Sequence, residues 1–198
     1  MPGRKFGFVY QFKIVLLDTE PPVWRRIQLR ADCSFWELHV ALQDAMGWLD
    51  YHLHLFKVVH PVKGVGEIGI PSEDDADFGW TILPGWRQKV SDWMSTESGG
   101  NTADYQYDYG DNWCHKVVLE KILPREKGVK YPRCVDGKRA CPPVDCGGVW
   151  GYEEICQGKS EFQDEFKDYD PGEFHPEKVK FDDPKKRFRI MTSPDDGD

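Results

Sequence analysis

The chain has 198 residues, 39% of them hydrophobic and 14% aromatic, with 34 acidic against 26 basic side chains and a net charge of -8. That length suits one domain with a substantial core, so folding need not depend on disulfides. The acidic balance disfavours nonspecific polyanion binding as the main task. No run approaches the roughly 18 consecutive apolar residues of a membrane helix, so a soluble protein with no membrane partner is expected.

The opening stretch MPGRKFGFVYQFKIVLL runs from basic to apolar, as a leader peptide does. Gln11 and Lys13 interrupt it and no small-residue cleavage site follows, so it reads instead as structure. Phe6, Phe8, Tyr10, Phe12, Ile14 and Leu16 recur at every second position, the period of a half-buried strand. Pro21-Pro22 supplies a turn, and residues 23–30 read as a second strand antiparallel to the first. A cytoplasmic location follows as the expectation, with the six cysteines as thiols or metal ligands rather than bridges.

Ser34-Phe35-Trp36-Glu37 matches a capping box, and Phe35, Leu38, Leu42, Ala45 and Met46 follow at helical spacing up to Gly47. A helix over residues 35–46 is predicted. His39 lies beside its apolar stripe and reads as a satisfied helix residue rather than a ligand. Residues 51–59 look like a strand, 61–79 like a long loop with one short strand at 67–70, and 81–93 are divided between helical spacing and a break at Pro84-Gly85. STESGGN, residues 95–101, reads as a connector. Residues 105–109 and 115–122 form a hairpin around Gly110-Asp111-Asn112. The chain then reads as irregular to residue 148, with short helices at 151–157 and 160–167. The fold class is thus α+β, a mostly antiparallel sheet with a few packed helices in a single compact domain over residues 1–176. Residues 177–198 are expected to be a charged, flexible tail.

Three constellations carry chemistry. His52 and His54 in HLH would project together from a strand, a geometry that can ligate one ion or one ligand. In YQYDYGDNWCHKV, Tyr105, Tyr107 and Tyr109 share a face. Asp108 and Asp111 either satisfy turn amides or join His115 around a polar pocket. In CVDGKRACPPVDCGG, three thiolates at Cys134, Cys141 and Cys146 could close a zinc site with His115 or Cys156. Their spacing is wider than that of common structural zinc sites, so free structural thiols and a disulfide or redox switch stay open beside zinc. There is no P-loop, no dinucleotide fingerprint, no HExxH and no GxSxG. Charge is uneven: residues 121–139 carry seven basic side chains against Glu126 and Asp136, and residues 153–183 carry eleven acids against four lysines. Solvated faces explain both, with a basic docking patch for nucleic acid or an acidic partner as the alternative.

Taken in order, PPVWRR, AMGW with HLHLF, YDYGDNWCHKV and GKRACPPVDCGGVWGY resemble the plasmid pRiA4b ORF-3-like family, over about Tyr10 to Phe174. The resemblance implies a compact α+β domain from a family found on plasmids and in insertion-element passenger genes, with no assigned biochemical activity. It marks Trp24, Arg25, His52, His54, Asp108, Gly110, Asp111, Trp113, Pro142, Pro143, Gly147, Gly148, Gly151 and Tyr152 as signature positions. The position of Cys146 is often another residue in relatives, which weakens a three-cysteine zinc site. Some members are labelled resolvase-like, yet none of the serines here sits in the arginine-rich setting a serine recombinase needs, and Ser34 serves as a helix cap.

The expectation is therefore a binding or accessory domain. Its ligand pocket would form where the HLH strand, the YDYGDNW hairpin and the CPPVDCGG loop meet, lined by Trp24, Arg25, His52, His54, Asp108, Asp111, Trp113, His115 and Tyr152. The alternatives are a metal-dependent hydrolase or nuclease using His52, His54, Asp108, Asp111 and His115, and a docking module using the 121–139 segment. The partner is an unknown small ligand or protein, and whether the chain is an enzyme is left open.

Overall fold

The computed structural model describes residues 7–97, 100–161 and 163–193. Alternating apolar residues make β1 (Phe8–Leu16) and β2 (Trp24–Arg30), which pair antiparallel with Phe12 opposite Ile27. Residues 1–6, including the predicted start of the first strand at Phe6, lie outside the described residues. The capping box forms as its sequence dictates: Ser34 Oγ accepts from the Glu37 amide while the Glu37 carboxylate accepts from the Ser34 amide. Helix α1 (Phe35–Met46) then runs to Gly47, whose φ of 98° is the left-handed conformation that glycine adopts without penalty.

The remaining strands are β3 (His54–His60), β4 (Gly64–Gly69), β5 (Ile82–Pro84), β6 (Thr102–Tyr107), β7 (Trp113–Pro124) and β8 (Arg133–Lys138). One eight-stranded sheet results, in the order β5-β4-β3-β6-β7-β1-β2-β8, antiparallel throughout except for the β4–β5 pair. Helices α2 (Gly148–Cys156) and α3 (Pro184–Thr192) complete the α+β domain. Tyr10, Phe12, Ile14, Leu16, Ile27, Phe56, Val117 and Leu119 meet the apolar side of α1 to form a single core. On the other side of the sheet a polar ladder links the buried Gln11 and Gln28 to the partly exposed Arg26, Glu120 and Arg133. The same alternation thus gives the sheet one apolar and one polar side.

Four expectations change. β3 begins at His54 rather than at residue 51, because Asp50 adopts a left-handed φ of 60° and the chain is still turning at His52. The hairpin connection spans residues 108–112, so Tyr109 leaves the strand and is exposed while Tyr105 and Tyr107 stay buried. β8 forms within the stretch read as irregular, where edge pairing to β2 supplies what a polar sequence does not announce. The segment expected as a tail carries α3, which packs on the domain. Asp183 caps α3, Trp36 Nε1 donates to the Pro184 carbonyl at 2.8 Å, and Phe188 packs on Trp36 and Trp86.

Candidate functional site

The three segments singled out in the sequence do converge, at His52, Asp108 and Asp145. Asp108 opens the β6–β7 connection with a left-handed φ of 57°, which aspartate tolerates better than most residues. Its Oδ1 accepts from the amides of Gly110 at 2.9 Å and Asp111 at 3.3 Å, leaving Oδ2 free to face His52. Its own amide donates to the Leu53 carbonyl at 3.0 Å, which ties the connection to the HLH segment. Asp145 arrives on the CPPVDCGG loop. That loop can close on the hairpin because Gly148, with φ of 69°, lies so near Asp111 that a Cβ would sit 2.6 Å from the Asp111 carbonyl oxygen.

His52 Nε2 lies 3.5 Å from Asp108 Oδ2 and 3.1 Å from Asp145 Oδ1, and the ligand atoms of all three residues fall within 4.8 Å of one another. Nε2 is enclosed, yet neither oxygen is aligned to make a hydrogen bond with it. Bonds of about 2.0–2.1 Å to a tetrahedral ion place its ligand atoms about 3.3 Å apart, so the two measured separations match the edges of such a coordination polyhedron. Among the described residues this is the only group of three or more His, Cys, Asp or Glu that meets so closely.

His54 goes elsewhere. It is 2% exposed and stacks on His39 with ring centroids 3.5 Å apart and planes 9° from parallel. His39 Nε2 lies 2.7 Å from Asp50 Oδ1, and its Nδ1 lies 2.9 Å from the Tyr105 hydroxyl, which also accepts from Gln43. The network assigns His39 the tautomer with its proton on Nε2, donating to Asp50 and accepting from Tyr105. Burial holds both imidazoles well below the ordinary histidine range, with mutual repulsion adding to the shift at His54. Burial also pushes the Asp50 carboxyl up to about 6, against the pull of His54 and Arg187.

The other predicted pocket residues are mostly scaffold. Arg25 is buried, donates from Nε to the Ala45 carbonyl at 2.7 Å and from Nη1 to the carbonyls of Trp24 and Lys138, and stacks on Phe174. It thereby closes the C-terminal end of α1 rather than facing a ligand. Trp24 lies half-buried between Lys13 and Arg26. Trp113 is buried against Trp48, and His115 is fully buried beneath Trp48 and Tyr105, with burial lowering its pKa to about 3. Tyr152 accepts from Arg139, and Asp111 lends its carbonyl to the close approach of Gly148. His54 and His115 therefore stand in the core, not with His52 and Asp108.

Cys134, Cys141 and Cys146 do not form such a ligand group. Cys134 Sγ turns to the Asp136 carbonyl, Cys146 Sγ to the Gly148 carbonyl, and burial pushes the Cys146 thiol up to about 12. In the basic segment, Arg133 pairs with Glu126 and Gln28, and Arg139 donates to Tyr152.

His52 also forms part of the wall of a cleft of about 460 Å³, together with Trp36, Trp48, Asp50, Leu53 and Arg187. Sequence reasoning missed Asp145, Asp50 and Arg187. Asp145 sits inside a quoted motif but looks like an ordinary loop acid, and Arg187 belongs to a helix read as tail.

The fold and this convergence define a class: an α+β domain whose one sheet supports a histidine–carboxylate cluster on three loops beside an apolar-walled cleft. The chain belongs to the plasmid pRiA4b ORF-3-like family, whose model matches residues 8–183. It is 34% identical over 150 residues to uncharacterized protein y4hQ of Sinorhizobium fredii (strain NBRC 101917 / NGR234), covering 75% of this chain and 72% of that one. It also resembles the crystal structure of a protein of unknown function, MM3350 from Methanosarcina mazei Go1, with a TM-score of 0.79 and 41% identity over 89% of this chain and 99% of that one. Neither description assigns an activity. No helix among the described residues is long and apolar enough to cross a membrane.

Proposed function

We propose that this is a ligand-binding domain that holds a divalent cation, of the zinc or manganese type, through His52 Nε2, Asp108 Oδ2 and Asp145 Oδ1. The observation that carries the reading is the enclosed Nε2, which lies 3.1 and 3.5 Å from two carboxylate oxygens without a hydrogen bond to either. One imidazole and two carboxylates form a nitrogen–oxygen donor set suited to such ions. The Asp108 ligand oxygen is held in place by the turn amides bonded to its other oxygen, so one ligand is preorganised. Three protein donors leave a coordination position for a ligand atom, and the adjoining cleft offers apolar walls for the rest of that ligand.

Isothermal titration of metal-stripped protein with zinc and with manganese tests this reading. One site per chain is expected, weakened at least tenfold in Asp108→Asn and in Asp145→Asn. Absence of saturable binding, or undiminished binding in both variants, would refute it.

A further inference from the structure

Asp44 on α1 and Asp50 just beyond it present two carboxylates whose side chains are only 6% and 9% exposed. Buried carboxylates are costly unless a cation meets them. His39 contacts Asp50 but is held neutral by its burial. Among the described residues, the permanent cation paired with both is Arg187 of α3. Its Nη2 lies 2.7 Å from Asp44 Oδ1 and 2.5 Å from Asp182 Oδ2, and its Nη1 lies 3.5 Å from Asp50 Oδ2.

Apart from Arg187, this segment is held by the Asp182 amide on Asp44 Oδ2 at 2.9 Å, by Trp36 Nε1 on the Pro184 carbonyl at 2.8 Å and by Phe188 against Trp36 and Trp86. None of the α3 residues is buried, and Ile190 is 68% exposed. The helix also lies beyond residue 183, where the family match ends, whereas Asp44 and Asp50 fall within it. The acid pair thus lies within the matched region and its cation lies beyond it. A planar guanidinium, with donors spread across a fork, can face several carboxylates at once in a way that a lysine ammonium cannot.

We propose that Asp44 and Asp50 form a guanidinium-binding pocket on the domain body, that Arg187 is its displaceable occupant in cis, and that an arginine-bearing helical segment of another polypeptide can take its place. The aromatic seat made by Trp36 and Trp86 requires an apolar residue directly after the arginine, as Phe188 is here. Arg187 also lines the cleft beside His52, and the pocket itself is independent of any cation at His52.

The test uses the full chain and a fluorescent peptide with the sequence of residues 183–193, DPKKRFRIMTS, read by anisotropy. The Arg187→Ala chain should bind the peptide at least tenfold more tightly than the unaltered chain, in which Arg187 competes. Placing Asp50→Asn in the Arg187→Ala chain, or alanine at the arginine of the peptide equivalent to Arg187, should each cost at least tenfold. Circular dichroism checks that the variants are folded. If Arg187→Ala does not fold, Arg187→Lys keeps the charge without the fork and should still bind the peptide more tightly than the unaltered chain. A folded variant that ignores the peptide, binds it no better than the unaltered chain, or is indifferent to Asp50→Asn would overturn the proposal.

Discussion

His52 and His54 stand two residues apart, and their surroundings could hardly differ more. His54 opens a strand, is stacked on another imidazole, and is kept neutral by burial. His52 lies in the turn before that strand, is 30% exposed, and faces two carboxylates on loops from distant parts of the chain. The lesson is that spacing says which side chains share a side of a regular element but not where that element begins. A left-handed Asp50 is enough to send one histidine into the core and leave the other among acids at the rim.

This contrast is sharpened most by removing each ring. His54→Ala deletes a core ring and should cost about 2–4 kcal/mol in urea denaturation while leaving metal titration at the His52 cluster nearly unchanged. A large loss of metal binding with little loss of stability in that variant would reverse the assignment of the two histidines.

Acid should act through the buried set. His39, His54 and His115 are neutral when folded but take up protons near pH 6.5 once unfolded, so stability falls as the pH drops from about 6.5 toward 3. Asp50 has the opposite sign. Raised to about 6, it holds a proton in the fold that the unfolded carboxyl would have lost, a stabilisation fully present below about 3.8 and lost as the pH rises through about 6. Three histidines outweigh the raised carboxyls of Asp50 and Asp44, so urea midpoints should decline between pH 7 and 4.5, and less steeply in His115→Gln. A midpoint that rose on acidification in the parent chain would contradict the buried-neutral assignment.

The smallest effect on folding belongs to the rim. His52→Ala should change stability by less than about 1 kcal/mol, because partly exposed charge pairs contribute little, yet it should abolish the metal titration. A loss of stability equal to that of His54→Ala would make His52 scaffold as well.

Much of this architecture is legible in the sequence because local chemistry and tertiary packing agree there. Ser34 to Gly47 carries its own cap, stripe and stop, and β1 carries its alternation. β8 is not legible, since RCVDGK has no apolar period and is a strand only because β2 offers an edge. α3 is hidden by Pro184, which reads as a break in an isolated tail but occupies a first-turn position that tolerates proline. At the site, the converging segments could be named from their residue types, while the ligand atoms could not. Choosing His52 over His54 depends on the register of β3, and finding Asp145 depends on a loop brought near by Gly148. Arg25 shows the reverse case. A charged residue in a signature motif suggests a ligand contact, but three backbone carbonyls already take its Nε and Nη1 donors.

The central claim is that one histidine of the pair is a ligand and the other is core. It is tested most directly by nitrogen-15 NMR of the imidazoles during titration with diamagnetic zinc. The account predicts that His52 Nε2 shifts in proportion to bound zinc while the resonances of His39, His54 and His115 stay in place. Zinc-dependent shifts at His54 or His115, or none at His52, would contradict it.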